Sequence, residues 1–347
     1  MRILVTGGAG FIGANVCRAL TTRPEVESIT VLDDLSSGDL RNLDGVGVDV
    51  VTGSILDEGL LAELVGGSTH VIHLAARPSV PRSLKDPLAT HTVNVTGTLR
   101  VLEACRGSRP HLILASSSSV YGDRREPRKH EDLPTRPLSP YGASKLAMEA
   151  YALAYAESYG LPVLPFRFFN VYGPLQAADH AYAAVIPTFV SAALHGRPVP
   201  VHGDGNQARD FTYVGSVIAV LVDAAVQQVT SRKPVNLAFG TRVSLLSLKD
   251  ALASVLGRPI EATFLPARTG DIRESQASPR LLVDLFPGVR PVSLDDGLRM
   301  TVAWFEKAMT HLPTAGTSRV CVPDVASSPS TGNQTAFHHM KSGEAGE

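Results

Sequence analysis

The chain has 347 residues, enough for one large α/β domain with a second lobe or for two modest domains. Its 32 Lys and Arg nearly balance 33 Asp and Glu, and a hydrophobic share of 44% indicates a well-filled core. Since there is no basic block or stripe, we expect neither a nucleic acid nor an anionic membrane surface as a partner.

The amino-terminal half alternates short apolar runs with segments of helical spacing. Strands are predicted at residues 1–6, 28–32, 70–75, 111–116 and 161–168. Helices are predicted at residues 11–20, 94–106 and 141–159. This alternation indicates right-handed βαβ units, and therefore a doubly wound parallel sheet.

The carboxyl-terminal half is less regular. Residues 186–194, 214–226 and 246–256 are predicted to be helical, and residues 236–239 form a candidate late strand. Residues 313–347 are rich in Ser, Thr, Gly and Pro, so we predict a disordered tail there. The three cysteines, Cys17, Cys105 and Cys321, are far apart, which argues against a disulfide scaffold and against a zinc site. With no export signal or membrane-spanning run recognisable, we expect a cytoplasmic protein.

A glycine-rich turn joins the first predicted strand to the first predicted helix. Gly7, Gly10 and Gly13 form G-x-x-G-x-x-G, in which they permit a tight turn, a close approach to pyrophosphate and close helix packing. Helix N–H groups and the helix dipole would hold the phosphate charge. Asp33 ends the second predicted strand, where a carboxylate accepts ribose hydroxyls and repels a 2′-phosphate. The motif therefore predicts NAD in preference to NADP.

A second motif carries candidate chemistry. Tyr141 and Lys145 are four residues apart, on one face of a helix that begins near Pro140. A tyrosine with a pKa of about 10 is a poor base at neutral pH. A neighbouring ammonium, helped by the positive nicotinamide ring, is expected to lower that pKa. The serine run that contains Ser117 ends a buried strand, where such sheets present residues to ligands.

Taken in order, these motifs resemble the extended short-chain dehydrogenase/reductase family, in particular its NAD-dependent nucleotide-sugar 4-epimerases acting on UDP-glucose or UDP-N-acetylglucosamine. The resemblance extends from Met1 to about Trp304. The matching segments are TGGAGFIG at 6–13, HLAA at 73–76, Asn94, ASSSSVYG at 115–122, the Tyr141/Lys145 pair, RFFNVYGP at 167–174 and RDFTYV at 209–214.

The resemblance assigns roles to individual residues. Ser117 would bond the reacting hydroxyl, Tyr141 would act as acid and base, and Lys145 would bond the nicotinamide ribose. The residues expected around NAD are Gly7, Gly10, Phe11, Ile12, Gly13, Asp33, Ser54, Ile55, Leu74, Ala75, Ala76, Asn94, Tyr141 and Lys145. Ser54 stands where relatives often carry a carboxylate, so its bond to the adenine side would be weaker. The residues expected around the substrate are Ser79, Arg82, Ser117, Asn170, Val185, His202, Arg209, Arg268, Asp271 and Ser275.

The resemblance also implies a domain plan. A Rossmann-like NAD-binding domain is expected over residues 1–170, with residues 213–240 returning to it. A smaller carboxyl-terminal substrate-binding lobe would comprise residues 171–212 and 241–312. A homodimer is expected if residues 98–106 and 141–159 form a four-helix contact, although these helices could equally cover the sheet.

The position after the catalytic serine separates the reactions of the family. Dehydratases of this family carry an Asp-Glu pair there, and the related decarboxylases carry a glutamate. This chain has Ser118 and Ser119, neither of which can act as a carboxylate acid or base. The expected reaction is therefore reversible oxidation at C4 through a 4-keto sugar, with return of the hydride to the other face.

The sugar is less closely determined. Ser275 aligns with the position where a bulky tyrosine excludes N-acetyl groups in glucose-only enzymes, so a serine there would leave that space open. Alternatively, Ser275 is only a small loop residue. Residues 79–83 and 181–187 resemble enzymes of N-acetylated UDP-hexosamines. A UDP-uronate 4-epimerase, with Arg82 or His180 facing the carboxylate, is a rival, although uronate enzymes tend to carry Thr at the position of Asn170. His202 falls near a uracil-stacking position but could equally be a turn residue.

Two further interpretations stay open. Another nucleotide-sugar epimerase or reductase of the extended family would share the motifs, and net consumption of the cofactor would reveal a reductase. A non-catalytic dinucleotide sensor is disfavoured, because such proteins often lose the catalytic Tyr or Lys, and both are present.

Overall fold

A computed structural model describes residues 1–124, 126–178, 183–267 and 273–311 of the chain. Its strands are β1 (Arg2–Thr6), β2 (Ser28–Asp33), β3 (Asp49–Thr52), β4 (His70–His73), β5 (His111–Ser117), β6 (Val163–Phe168), β7 (Asn170–Tyr172), β8 (Val199–His202), β9 (Ala208–Arg209), β10 (Phe211–Tyr213), β11 (Val235–Leu237), β12 (Val243–Ser244), β13 (Ala262–Leu265) and β14 (Glu274–Ser275). Its helices are α1 (Phe11–Leu20), α2 (Glu58–Gly66), α3 (Val80–Lys85), α4 (Pro87–His91), α5 (Gly97–Ser108), α6 (Pro140–Tyr159), α7 (Val185–Leu194), α8 (Val214–Gln227), α9 (Leu245–Leu256), α10 (Arg280–Leu285) and α11 (Leu294–His311).

One seven-stranded sheet organises the fold, in the order β11-β6-β5-β4-β1-β2-β3, with all neighbouring strands parallel. The order reverses direction between β1 and β4, whose last residues, Thr6 and His73, are paired. In doubly wound sheets a ligand binds in the crevice outside the carboxyl ends of the strands at such a switch point. The predicted Rossmann-like, doubly wound α/β fold is confirmed.

Helices cover both faces of this sheet. On β1, Ile3 and Val5 join the buried cluster that includes α1 and α8, whereas Leu4 joins the cluster under α2, α5 and α6. Successive residues of a strand point to opposite faces, so a strand buried on both faces is a continuous apolar run. The apolar runs of the sequence therefore identified the central strands of the sheet.

A third buried cluster lies mainly in the carboxyl-terminal half, where α7, α9 and α11 contribute Phe189, Leu248 and Leu298. Short strands form small sheets in the orders β10-β7, β12-β9-β14 and β13-β8. The chain from Met1 to Met309 is one compact unit. The division into residues 1–170 with 213–240, and residues 171–212 with 241–312, stays a prediction.

Most predicted elements are present, with shifted ends. Helix α1 has the predicted bounds, and α6 begins at Pro140 as expected. The strand predicted at residues 70–75 was too long, because β4 ends at His73 and the chain then turns into a loop. The tail predicted at residues 313–347 lies outside the described residues. Within the described residues, the helices are all too short or too polar to cross a membrane.

Candidate active site

The glycine turn between β1 and α1 has no room for side chains. Gly7 has φ +73°, and a Cβ on it would lie 2.7 Å from the backbone nitrogen of Ala75 on the neighbouring strand loop. A Cβ on Gly13 would overlap the carbonyl oxygen of Gly7. Gly10 precedes α1 without a side-chain cap, so the first N–H groups of that helix, at Phe11 and Ile12, can bind an anion. The turn fits a pyrophosphate.

Asp33 ends β2 beside this turn and is 7% exposed. Its carboxylate accepts the backbone N–H of Ala9 at 3.0 Å and that of Leu35 at 2.9 Å. Burial raises the pKa of Asp33, and these two hydrogen bonds oppose the rise. Each carboxylate oxygen retains acceptor capacity for a ribose hydroxyl. A negative group held here disfavours a 2′-phosphate, so the site fits NAD.

The remaining residues expected around NAD include the segments that follow β3 and β4. Ser54 uses its hydroxyl in a local turn, where it accepts the N–H of Leu56 at 3.2 Å. Ile55 is buried against Gly97 at the start of α5. Leu74, Ala75 and Ala76 follow β4, and the N–H of Leu74 donates to the carbonyl of Thr6 at 3.0 Å. Leu74, Ala75 and Ala76 thus lie beside the switch point between β1 and β4, whereas Ser54 and Ile55 follow the edge strand β3, and the contacts of all five with NAD stay predictions.

Asn94 is fully buried in a π-helical turn, Thr92–Thr96. Its Oδ1 accepts the N–H of Arg77 at 2.7 Å, and its Nδ2 donates to the Ser144 hydroxyl at 2.9 Å. The side chain thus ties the loop after β4 to α6. In the described structure Asn94 positions the walls of the crevice, and its direct contact with NAD stays a prediction.

The candidate catalytic residues lie at the carboxyl end of β5 and the start of α6. Ser139 caps α6 by accepting the N–H of Gly142 at 3.1 Å, and Pro140 is at its first position, so Tyr141 is in the first turn. Lys145 follows one turn later and donates from Nζ to the carbonyl of Ala115 on β5 at 2.7 Å. The Ser117 hydroxyl accepts the Ser119 hydroxyl at 2.9 Å.

Burial shifts the pKa values of Tyr141 and Lys145. Burial raises the pKa of Tyr141, and a hydrogen bond with Ser117 opposes the rise. Burial lowers the pKa of Lys145 to about 7. Desolvation is the largest cause of the pKa shift of both groups, and Lys145 is not among the causes that act on Tyr141, so the lowering expected from Lys145 together with the nicotinamide ring stays a prediction.

A buried ion pair behind these residues was not foreseen. Glu149, one turn after Lys145 on α6, pairs with Arg167 on β6 at 2.5 Å, and both side chains are 4% exposed. Glu149 also accepts the hydroxyl of Ser116 at 2.9 Å. The signal was present in the sequence, since Arg167 interrupts an apolar strand and Glu149 shares the helix face of Lys145.

A cavity of about 350 Å³ gathers half of the residues expected around the substrate. Its lining includes Ser79, Asn170, Val185, His202 and Arg209. Ser79 adopts a strained φ of +93° and caps α3, which presents it at the cavity wall.

The other residues expected around the substrate are not part of that lining. Arg82 lies in α3, and Ser275 pairs with Arg209 between β14 and β9. Ser117 belongs to the catalytic set at the end of β5. Arg268, Asp271 and His180 lie outside the described residues, as does part of the stretch 181–187.

Comparison with known proteins identifies the family. The model of the NAD dependent epimerase/dehydratase family matches residues 3–238. The chain belongs to this family. It is an enzyme of the epimerase/dehydratase family, and NAD is its cofactor, in agreement with the fit of the glycine turn and Asp33.

Individual members of the epimerase/dehydratase family are similar over most of the chain. A UDP-glucose 4-epimerase of Mycolicibacterium smegmatis is 37% identical over 88% of this chain and 98% of its own. The solved UDP-N-acetylglucosamine 4-epimerase of Methanobrevibacter ruminantium, in complex with UDP-N-acetylmuramic acid, has a TM-score of 0.84 at 34% identity, covering 89% of this chain and 99% of its own. The UDP-glucuronic acid 4-epimerase of Bacillus cereus was solved with UDP-glucuronic acid and NAD. It has a TM-score of 0.81 at 30% identity, covering 89% of this chain and 100% of its own.

Proposed function

We propose that this enzyme reversibly inverts C4 of a UDP-hexose, either UDP-GlcNAc and UDP-GalNAc or UDP-Glc and UDP-Gal. The observation that carries the proposal is the set Ser117, Tyr141 and Lys145, held where β5 and α6 meet the crevice. The absence of carboxylates at Ser118 and Ser119 points the same way. Relatives with three sugar specificities include 4-epimerases, but dehydratases and a decarboxylase match over the same length, so residues 117–119 rather than the relatives support epimerisation.

In the proposed mechanism Tyr141 exchanges one proton with the 4-hydroxyl of the sugar, and Ser117 holds that hydroxyl by a hydrogen bond. Bound NAD, which the glycine turn and Asp33 would hold, would supply a reversible hydride acceptor for C4. Lys145, whose Nζ donates to the Ala115 carbonyl in the described structure, would hold the cofactor ribose. The 4-keto sugar rotates in the cavity before it is reduced, so the configuration at C4 inverts.

Elimination is not proposed, because it needs an additional acid or base. Ser119 donates its hydroxyl to Ser117 and its N–H also points at the Ser117 oxygen, at 3.2 Å. A serine hydroxyl does not ionise at neutral pH. These bonds orient Ser117 and add no proton acceptor beside the sugar.

The residues that line the cavity support a nucleotide diphosphate as the part of the substrate that is bound there. Arg209 brings a planar cation that suits phosphate oxygens, and His202 together with the apolar lining suits a flat base. The proposal includes Arg82, Arg268, Asp271 and Ser275 as further substrate contacts.

The test is a turnover panel followed by NMR, in which the purified enzyme with its bound NAD receives UDP-Glc, UDP-GlcNAc or UDP-GlcA. We expect the 4-epimer of at least one neutral hexose to appear until equilibrium, without net change in nicotinamide absorbance. Conversion of UDP-GlcA alone would replace the proposal with a uronate epimerase. No conversion of any of the three would refute it.

A further inference from the structure

Asp210 is a fully buried carboxylate between β9 and β10. One oxygen, Oδ2, accepts the backbone N–H of Gly240 and that of Ala277, both at 3.0 Å. The other, Oδ1, accepts the backbone N–H of Thr241 at 3.2 Å and its hydroxyl at 2.8 Å. The carboxylate thus gathers donors from two segments that are distant in sequence from it and from each other.

The backbone of the same residue joins the residues expected around the substrate. The N–H of Asp210 donates to the carbonyl of Ser275 at 2.8 Å, and its carbonyl accepts the N–H of Asn170 at 3.2 Å. Arg209 precedes it and pairs with Ser275 across β9 and β14. Asp210 is therefore the chain neighbour of Arg209, and its backbone is hydrogen-bonded to Asn170 and to Ser275.

A buried carboxylate is an unusual group for connecting backbone segments. Burial raises the pKa of Asp210, and the hydrogen bonds from Ala277, Thr241 and Gly240 lower it. Burying a charge is seldom the cheapest way to stabilise a fold, since an apolar side chain of similar size does as well or better. A carboxylate, however, can accept several donors at fixed angles, which sets the relative position of the segments that supply them.

We propose that Asp210 is a positioning residue, which holds Asn170, Arg209 and Ser275 in the arrangement that binds the nucleotide end of the substrate. This inference rests on the proposed function. The effect is indirect, because Asp210 is enclosed by protein groups and acts through these three residues and through the segment of Ala277.

Asp210→Asn is the principal variant, because it keeps the size of the side chain and removes the charge. An amide has one oxygen, so its nitrogen must face either the Thr241 donors or the Gly240 and Ala277 donors. We expect affinity for UDP, measured by titration calorimetry, to fall about 10-fold or more. The KM for the sugar nucleotide should rise by a similar factor, whereas kcat changes about threefold or less. Bound NAD should be unchanged, because Asp33 and the glycine turn do not contact Asp210.

Two further variants serve as comparisons. Thr241→Val removes one hydroxyl donor to the carboxylate, together with the longer bond of that hydroxyl to the Phe211 carbonyl at 3.2 Å, so we expect a smaller loss of UDP affinity, about threefold. Asp250→Asn is the matched control, because Asp250 lies on the exposed face of α9 with a side chain that is 70% exposed. Its UDP affinity, bound NAD and KM should equal those of the wild type.

The outcomes separate this inference from the function on which it rests. If the wild type binds UDP and the folded Asp210→Asn variant binds it equally well, the positioning role is overturned while the proposed substrate stands. If Asp210→Asn loses its NAD and unfolds, Thr241→Val decides, and unchanged UDP affinity in that variant rejects the role. A wild type that does not bind UDP at all would refute the proposed nucleotide and, with it, this inference.

Discussion

Single residues determine the proton chemistry of this site. Burial raises the pKa of Tyr141 and lowers that of Lys145 to about 7, so desolvation disfavours charge on both. The hydrogen bond with Ser117 is the interaction of Tyr141 that opposes the shift. Removing the phenol hydroxyl should therefore stop proton exchange without disturbing the surrounding fold.

We expect Tyr141→Phe to lower kcat for the proposed C4 epimerisation by about 10²- to 10⁴-fold, because the proposed general acid and base is lost. Bound NAD and UDP affinity should persist. Epimer formation followed by NMR measures the effect, and Tyr159→Phe, on the exposed end of the same helix, is the control. A Tyr141→Phe enzyme with more than a tenth of wild-type turnover would assign the proton to another group.

Ser275 offers a test of sugar specificity. If its small side chain leaves space for an N-acetyl group, Ser275→Tyr should reduce turnover of UDP-GlcNAc about 10-fold or more, with less effect on UDP-Glc. Both turnovers are measured by NMR on the same preparation. Full UDP-GlcNAc turnover in the variant would mean that Ser275 is only a small loop residue.

At the scale of elements, the joint between β1 and α1 is the tightest part of the cofactor site. Gly13→Ala places a methyl group on the Gly7 carbonyl oxygen, at an overpacking cost of about 1–3 kcal/mol. We expect the purified variant to carry less NAD, measured by chromatography of the nucleotide released on denaturation. Gly107→Ala on α5, where nothing lies within 4 Å of the new methyl group, is the control and should keep its NAD.

The amino ends of β4 and β5 carry a buried pair, His70 and His111, whose ring centres are 5.6 Å apart. Burial is the main cause that lowers the pKa of His70 to about 4, and the neighbouring His111 adds to it. Burial also lowers the pKa of His111. Both histidines are therefore neutral in the folded state at pH 7. Their unfolded pKa is about 6.5, so the unfolded chain binds more protons than the folded one at lower pH.

The free energy of unfolding should consequently be highest above pH 6.5 and fall as the pH drops from about 6.5 toward 4. Chemical unfolding at a series of pH values measures this slope. The slope should become shallower in His70→Gln, while His195→Gln, an exposed control, should leave it unchanged. An identical slope in His70→Gln and the wild type would place the acid sensitivity elsewhere.

At the scale of the whole molecule, an apolar stripe lies on the outer face of α6. Ala143, Ala147, Ala150 and Ala154 recur at helical spacing, exposed or half-buried, beside Leu88, which is 79% exposed. Small residues at this spacing let two helices pack closely. The homodimer expected from the sequence would bury this stripe.

We expect the wild type to be a dimer by light scattering, and Ala147→Arg to be a monomer, because a charge would be buried in the contact. Glu306→Arg, exposed on α11, should leave the dimer intact. A monomeric wild type, or a dimer that survives Ala147→Arg, would contradict this assignment.

Much of this architecture could be predicted from the sequence, for a local reason. The bounds of α1 and the start of α6 follow from glycine, proline and serine signals next to apolar spacing. The role of Asp210 could not be predicted, because its partners at Gly240, Thr241 and Ala277 are distant in sequence. The two-residue strands β9, β12 and β14 are too short for any periodicity, so only the fold reveals that they pair.

The position of β11 in the sheet affects how the protein folds during translation. This strand pairs with β6 at one edge of the sheet, yet the chain runs through β7 to α8 before reaching it. The nascent sheet therefore exposes the unpaired backbone of β6 throughout that interval of translation. Such an edge invites strand addition by another chain. Synthesis of residues 235–237 supplies the strand that covers this edge of β6.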